Sequence, residues 1–263
     1  MIVNVIKKDL QTLLVGMVKT PALITDIDVT TVTMDSRKLE EGALFIASAK
    51  ATQQRLIHIT QAVEKGAKAI LIEQSQPLST VEMEYVATTR IQVIPVAKLD
   101  SKVSEIAARF YGHPSLALTV IAVTGTNGKT SVSQFIAQGL EAAGKPCGVI
   151  GTLGVGRLEA LTESGMTTPD PVSVQAALAT FCHQSIDYVV LEASSHALEQ
   201  GRLNSVAIDV AILTNLSRDH LDYHQDMASY ADAKQRLFEF SSVKVAVINA
   251  DDVFGQRLIE TLT

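Results

Sequence analysis

A chain of 263 residues that is 47% hydrophobic and 19% charged has the make-up of one large globular domain or two smaller ones. Its formal net charge of −6 argues against a duplex nucleic-acid binder, which carries a basic face, but leaves room for a local positive field around a phosphate. Two cysteines, Cys147 and Cys182, cannot build a disulfide framework, and no apolar run reaches membrane-spanning length, so the expected address is the reducing cytoplasm with neither membrane nor nucleic acid as partner.

The apolar start from Met1 to Leu14, with Lys7, Lys8 and Asp9 embedded in it, lacks the order of a signal peptide and predicts a first helix. From there to about Val96 short strands alternate with helices. Residues 29–33, 43–47, 68–73 and 91–96 read as strands, and 57–65 as an amphipathic helix ended at Gly66. Asp35–Ser36–Arg37 follows the first of these strands. It reads either as a capping turn or as a hydroxyl and a guanidinium that hold a polar ligand. A helix over 98–111 is broken by Gly112–His113–Pro114–Ser115, and the domain boundary is placed near Leu99, giving domains 1–99 and 100–263.

The most informative stretch is 119–131. A β-branched apolar run from Thr119 to Val123 predicts a buried strand, the turn Thr124–Gly125–Thr126–Asn127–Gly128 follows, and Val132, Phe135, Ile136 and Leu140 then recur at helical spacing. Strand, glycine loop and helix form a phosphate cradle. Backbone N–H groups from Gly125 to Ser131 and the positive helix end meet phosphate oxygens, Lys129 reaches the outer phosphates, and the Thr130 hydroxyl can ligate Mg²⁺. The general pattern has a further glycine where Val123 stands, so a plain glycine turn before a surface lysine is the alternative.

Beyond the loop, 147–151, 187–193, 207–214 and 243–249 are strand candidates, with helices over 172–182 and 228–240. Strands this apolar, separated by helices, predict a largely parallel sheet covered on both faces, with ligands at the carboxyl ends of its strands. The polar residues fall there: Thr167–Thr168–Pro169–Asp170, then Glu192 with Ser194–Ser195–His196, then Asn215 and the run 218–224. Glu192, Thr130 and His220 together suit Mg²⁺ beside phosphate. Taken singly, Glu192 is equally a solvated strand end and His220 a helix-cap histidine. His196 and His224 read as structural, and Lys234, on a helix, as a surface lysine.

Assembled, these residues make the chain resemble the Mur ligase family of ATP-dependent amide-bond-forming enzymes. The carriers are Asp35–Ser36–Arg37, 110–115, 124–130, Thr167–Thr168–Pro169, 192–198 with Gln200 and Arg202, 215–224, 230–234 and 249–252. Lacking the outer glycine is itself a trait of that family. The resemblance implies peptidoglycan precursor synthesis, and with it a part in cell shape and division. The reaction implied joins a diamino acid, meso-diaminopimelate or L-lysine, to UDP-N-acetylmuramoyl-dipeptide through an acyl phosphate. It further implies that Ser36 touches the uridine end of that nucleotide sugar, and that Thr167, Thr168, Ser194, Gln200 and Arg202 hold its muramoyl-dipeptide part. Lys129 would bind the ATP phosphates, Thr130 and Glu192 would serve one Mg²⁺, and His220 and a carbamylated Lys234 a second.

Two departures stand out. Where the family carries Asp-Gly and a basic residue near the uridine pocket, this chain reads Thr52–Gln53–Gln54–Arg55–Leu56. It also stops at Thr263, part-way through the ATP-binding domain of the family and before the carboxy-terminal ligase domain, so the expectation is a fragment that cannot form product alone. Rival readings are another Mur ligase or a folylpolyglutamate synthetase, a noncatalytic nucleotide-binding module, and a phosphate-loop switch protein. The last gives no role to Thr167 or Arg202.

Overall fold

The computed structural model describes residues 7–18, 24, 26–47, 54–89 and 91–262. The chain divides into two compact units, Met1–Phe110 and Tyr111–Thr263. Among the described residues no helix is long and apolar enough to cross a membrane.

The first unit opens with strand β1 (Lys8–Asp9) and helix α1 (Leu10–Leu13), and β1 pairs antiparallel with β2 (Asp28–Val29). Of the helix expected over the first fourteen residues, 1–6 lie outside the described residues, and the remainder is helical for one turn only. Asp9 ends the strand and caps that turn, its carboxylate accepting the Thr12 N–H at 2.8 Å, which uses the residue for initiation rather than for the helix interior.

A four-stranded sheet of β3 (Thr31–Thr33), β4 (Ala43–Ala47), β5 (Ala69–Glu73) and β6 (Gln92–Val96) follows, parallel throughout and in chain order, with α2 (Arg55–Glu64), α3 (Thr80–Ala87) and α4 (Leu99–Tyr111) between and after its strands. Strand β4 is buried at all five positions, as expected of a central parallel strand flanked by neighbours. A buried polar clasp joins α2 to α3: Arg55 donates from Nε and Nη2 to the two carboxylate oxygens of Glu82 at 2.8 and 2.7 Å.

In the second unit β7 (Thr119–Thr124) leads through the glycine loop into α5 (Lys129–Ala142) and back to β8 (Cys147–Gly151). The antiparallel strands β9 (Gly154–Arg157) and β10 (Ala160–Thr162) extend the sheet from β8 as a hairpin, and α6 (Pro171–His183) returns the chain to β11 (Tyr188–Glu192). After it come α7 (Ser195–Glu199), β12 (Val210–Leu213), α8 (Leu221–His224), α9 (Met227–Gln235), β13 (Val245–Ile248) and α10 (Val253–Leu262). The helix expected over 228–240 ends at Gln235 and continues as a 3-10 turn over Arg236–Glu239.

The seven strands lie in the order β10-β9-β8-β11-β7-β12-β13, and β8, β11, β7, β12 and β13 run parallel. Alternate residues of β11 serve opposite layers. Val189 and Leu191 pack with Val120, Ala122, Leu178 and Phe181, while Val190 packs with Val123, Ala137 and Val149. The register sets Glu192 beside Val123 and Leu213 beside Thr124. Three strand ends therefore open side by side, which brings the segments after β7, β11 and β12 to one edge of the sheet.

Candidate functional site

The loop after β7 is locked from its neighbour β12. Gly125 has φ +147°, and a Cβ there would collide with the Thr214 hydroxyl, so only glycine fits. The Asn215 side chain accepts the Asn127 N–H at 3.1 Å and donates to the Asn127 carbonyl at 3.0 Å, while the Asn215 carbonyl accepts the Thr126 N–H at 2.9 Å. Thr126 in turn accepts the Ser217 N–H at 3.0 Å and lies 3.1 Å from the hydroxyl of Tyr230. Gly128, at φ +83°, turns the chain into α5. Lys129 folds over the loop, donating to the Gly125 and Thr126 carbonyls at 2.8 and 3.0 Å. Burial lowers its pKa, against the opposing charges of Glu192 and Asp219.

At the second residue of the helix, the Thr130 hydroxyl donates to Glu192 Oε2 at 2.9 Å. The solvated strand end that Glu192 could have been is excluded, since it is 1% exposed. Thr152, just past β8, holds the same carboxylate with its N–H at 2.9 Å and its hydroxyl at 3.1 Å. A hydroxyl and a carboxylate oxygen this close, at the mouth of a phosphate-type loop, fit the oxygen-ligand demand of Mg²⁺ with waters completing its shell. Among the described residues no group of three His, Cys, Asp or Glu side chains forms a metal cage. A site here would depend on ATP oxygens and water for its remaining ligands.

Lys234 is buried, not the surface lysine its residue type predicts. It is 1% exposed, its Nζ lies 4.4 Å from the Tyr230 ring centroid, and it donates at 2.8 Å to the Gly125 carbonyl that Lys129 also uses. Burial, and then the neighbouring charge of Lys129, push its pKa down to about 7, with Asp219 opposing. Two lysines thus converge on one carbonyl, and a group that carried negative charge at Lys234 would relieve them. His220 sits at φ +52° with its side chain 46% exposed, Nε2 3.7 Å from Asp219.

Lys129, Lys234 and His220 line a single cleft of about 230 Å³ together with Thr167, Thr168, Ser194 and Arg202. Thr168 donates to the Glu192 carbonyl at 2.6 Å and accepts the Ser194 N–H at 3.0 Å, so the segment between β10 and α6 is tied to the end of β11. Arg202 donates to the Thr168 carbonyl at 2.6 Å and, from Nε and Nη2, to Gln200 Oε1 at 3.1 and 2.8 Å. Gln200 reaches Tyr223 at 2.9 Å, and its contacts identify it as a brace for Arg202.

Met166, Ser195, His196 and Tyr230 complete the cleft wall. His196 is packed against Tyr223 with centroids 4.1 Å apart and lies 5.1 Å from His220. Burial lowers its pKa, helped by the charges of His220, His224 and Arg202. His224 is held between Ser195, 2.9 Å from its Nε2, and Glu199, and burial lowers its pKa as well. Thr152 is not marked by any residue pattern, and Tyr230 only as the first residue of the block 230–234 that carries the family resemblance. A threonine after a strand-ending glycine and a tyrosine on a short helix carry no distinctive signal.

Ser36 belongs to the first unit. It is buried in the turn after β3, with its hydroxyl 3.1 Å from Nδ1 of His58. Of the departure at 52–56, Thr52 and Gln53 lie outside the described residues. Arg55 is committed to Glu82 and to the Gln76 and Pro77 carbonyls at 2.8 and 2.9 Å, which removes it as a ligand for a substrate.

Comparison with known proteins adds the lineage. Residues 28–111 match the model of the Mur ligase family catalytic domain, and residues 123–263 match that of the Mur ligase middle domain. A UDP-N-acetylmuramoyl-L-alanyl-D-glutamate--2,6-diaminopimelate ligase of Ectopseudomonas mendocina is 45% identical over 240 residues, 91% of this chain and 48% of the relative. The enzyme of the same name from Pseudomonas syringae is 47% identical over 226 residues, 86% of this chain and 45% of the relative. A solved structure of a ligase of that name superposes with a TM-score of 0.74 at 38% identity, covering 89% of this chain and 45% of that one. The chain spans about half the length of the curated relatives it matches. With both of its units matched in order, the chain belongs to the Mur ligase family.

Proposed function

We propose that this chain supplies the nucleotide-sugar-binding and ATP-binding parts of a cytoplasmic ligase of peptidoglycan precursor synthesis. The reaction is the addition of a diamino acid, meso-diaminopimelate in preference to L-lysine, to the D-glutamate of UDP-N-acetylmuramoyl-L-alanyl-D-glutamate. The names of the relatives support diaminopimelate. The observation that carries the reading is the Thr130–Glu192 contact of 2.9 Å beside a buried Lys234.

In this reading Lys129 exchanges the Gly125 and Thr126 carbonyls for oxygens of the terminal phosphates, and the first N–H groups of α5 meet the remaining charge. Thr130 and Glu192 hold Mg²⁺, which supplies neutralisation of the triphosphate. Thr168, Ser194 and Arg202 orient the muramoyl-dipeptide so that the free D-glutamate carboxylate meets the γ-phosphorus. That carboxylate oxygen forms a bond to phosphorus as the bond to ADP breaks, giving an acyl phosphate. The amine of the incoming residue then attacks the acyl carbon, loses a proton and expels phosphate. Positioning and charge neutralisation carry most of the work, and no protein nucleophile is required.

Lys234 supports the same reading from its chemistry. An amine with a pKa of about 7 is partly neutral at physiological pH, the form that adds to CO₂. The resulting carbamate would place negative charge beside Lys129 and make oxygens available near His220 for a second Mg²⁺.

The test is a thermal-shift comparison of the wild-type chain and Lys129→Ala with ATP and Mg²⁺, then with the nucleotide-sugar dipeptide. The wild type is expected to be stabilised by both. Lys129→Ala should lose the ATP response and keep the second. Equal ATP responses in the two proteins would overturn the assignment.

A further inference from the structure

Helix α2 and the residue that caps its carboxyl end bring two side chains to the turn after β3. His58 and Lys65 are seven residues apart, two helical turns, with Ala62 buried between them on the same face. Lys65 donates to the Ser36 and Arg37 carbonyls at 3.0 and 2.8 Å, which fixes the backbone of the turn. His58 Nδ1 lies 3.1 Å from the Ser36 hydroxyl, itself in a residue only 6% exposed. Arg37 is tied back to Asp35 by its Nε at 2.9 Å and its Nη2 at 2.8 Å. Among the described residues, the Ser36–His58 pair is thus the side-chain to side-chain hydrogen bond that ties the turn to another element.

A free serine hydroxyl rotates and serves as donor or acceptor alike. One bonded to a ring nitrogen has a set polarity. Where Nδ1 of His58 is the acceptor, the Ser36 proton is spent on it and only oxygen lone pairs face outward. Such an oxygen accepts from the N3–H of a uracil ring and finds no donor at N3 of cytosine, where a lone pair stands instead. We propose that His58 is a positioning residue that sets the polarity of the Ser36 hydroxyl and so makes the first unit select uridine over cytidine nucleotides. This rests on the proposed contact of Ser36 with the uridine end of the substrate.

The test uses the whole chain, with ADP and Mg²⁺ saturating the phosphate loop, and isothermal titration of uridine diphosphate and cytidine diphosphate into wild type, Ser36→Ala, His58→Phe and His58→Gln. His58→Phe keeps a planar ring without the nitrogen, and His58→Gln restores a polar group. Ser36→Ala and His58→Phe are each expected to weaken uridine diphosphate binding about three- to tenfold and to narrow the preference over cytidine diphosphate. His58→Gln should recover at least half of that preference, and unchanged unfolding temperatures would separate the effect from damage to the fold. Weakening by Ser36→Ala with wild-type behaviour of His58→Phe overturns the role of His58 alone. Binding unaffected by Ser36→Ala overturns the uridine site itself, and this role with it.

Discussion

Gly151 is kept free of a side chain by Glu192: a Cβ at residue 151 would run into the Glu192 carboxylate, which Thr130 and Thr152 already hold from two other sides. The last residue of β8 and the last residue of β11 thus share one small volume, and the carboxylate takes it. Buried and triply held, it cannot swing aside cheaply.

Gly151→Ala should therefore act on the site rather than on the sheet alone. The added methyl would push the carboxylate off the Thr130 hydroxyl and misplace a ligand of the proposed cation. Stabilisation by ATP is expected to be largely Mg²⁺-dependent in the wild type and at least halved in the variant, measured as the difference between thermal shifts with Mg²⁺ and with a chelator. A full Mg²⁺-dependent response in Gly151→Ala would show that Glu192 is not needed for the cation.

Lys234 makes the stability of the second unit depend on pH in a direction that can be worked out. Its pKa is about 7 in the folded chain, against an ordinary 10.5. Between those values the unfolded chain binds the proton that the folded chain has released, so stability rises with pH across the window. Below pH 7 both states are protonated and the full cost of burying the ammonium remains, on the order of 5 kcal/mol for a shift of this size. Lys234→Met should be more resistant to urea than the wild type at pH 6, and the gain should fade as pH climbs toward 10. A constant difference across that range would contradict the burial of a charged amine.

The same lysine supports a chemical measurement. With ¹³C-bicarbonate at pH 8, the wild-type chain is expected to give a carbamate carbon resonance that Lys234→Met lacks. The resonance should weaken on acidification, as protonation removes the nucleophilic amine. A wild-type spectrum indistinguishable from that of Lys234→Met would remove the proposed modification.

Which parts of this arrangement could be read in advance follows from the physics of each. The strands at 119–124, 147–151 and 188–192 are short apolar runs because parallel strands are covered on both faces, and their boundaries agree with the expected ones to within a residue or so. The hairpin of β9 and β10 escaped because Gly154 and Gly156, both at positive φ, interrupt any alternation of apolar and polar residues. Helix α9 reads Met-Ala-Ser-Tyr-Ala-Asp-Ala-Lys-Gln, too weakly amphipathic to reveal which side faces in, so the burial of Lys234 was invisible without the family pattern. The Ser36–His58 contact spans 22 residues and depends on α2 crossing a turn, which no local pattern encodes. In contrast, the meeting of Thr130 with Glu192 needed only the rule that loops at the carboxyl ends of neighbouring parallel strands share a site.

In the first unit Arg55 and Glu82 form an ion pair whose side chains are 10% and 6% exposed. Arg55 holds the Glu82 carboxyl down to about 2, against an ordinary value of 4.5. The folded state therefore gains from this carboxylate above pH 4.5 and loses that gain as pH falls toward 2. Glu82→Gln leaves Arg55 charged, though still bonded to two backbone carbonyls, so a loss of about 3 kcal/mol is expected at pH 7, at the lower end for a broken buried pair. The gap from wild type, read by urea denaturation, should close below pH 4. Equal stability at pH 7 would show that the two carbonyls alone satisfy the guanidinium.

Arg202 offers the clearest separation of the two substrate ends of the cleft. A guanidinium has five N–H donors; contacts to the Thr168 carbonyl and to Gln200 Oε1 engage three of its nitrogens without exhausting those donors. One N–H of Nη2, together with the N–H of Nη1 that is held only weakly by Met166 Sδ at 3.7 Å, is available to a carboxylate or phosphate oxygen in the cleft that Arg202 lines. A lysine there has three donors on a single nitrogen and cannot brace itself on Gln200 and Thr168 while still meeting an anion in a fork. Arg202→Lys is therefore expected to weaken binding of UDP-N-acetylmuramoyl-L-alanyl-D-glutamate about tenfold, measured by titration calorimetry, while the thermal shift with ATP and Mg²⁺ stays at its wild-type value. Losing both responses together would mean that Arg202 holds the cleft wall in place and does not touch the dipeptide.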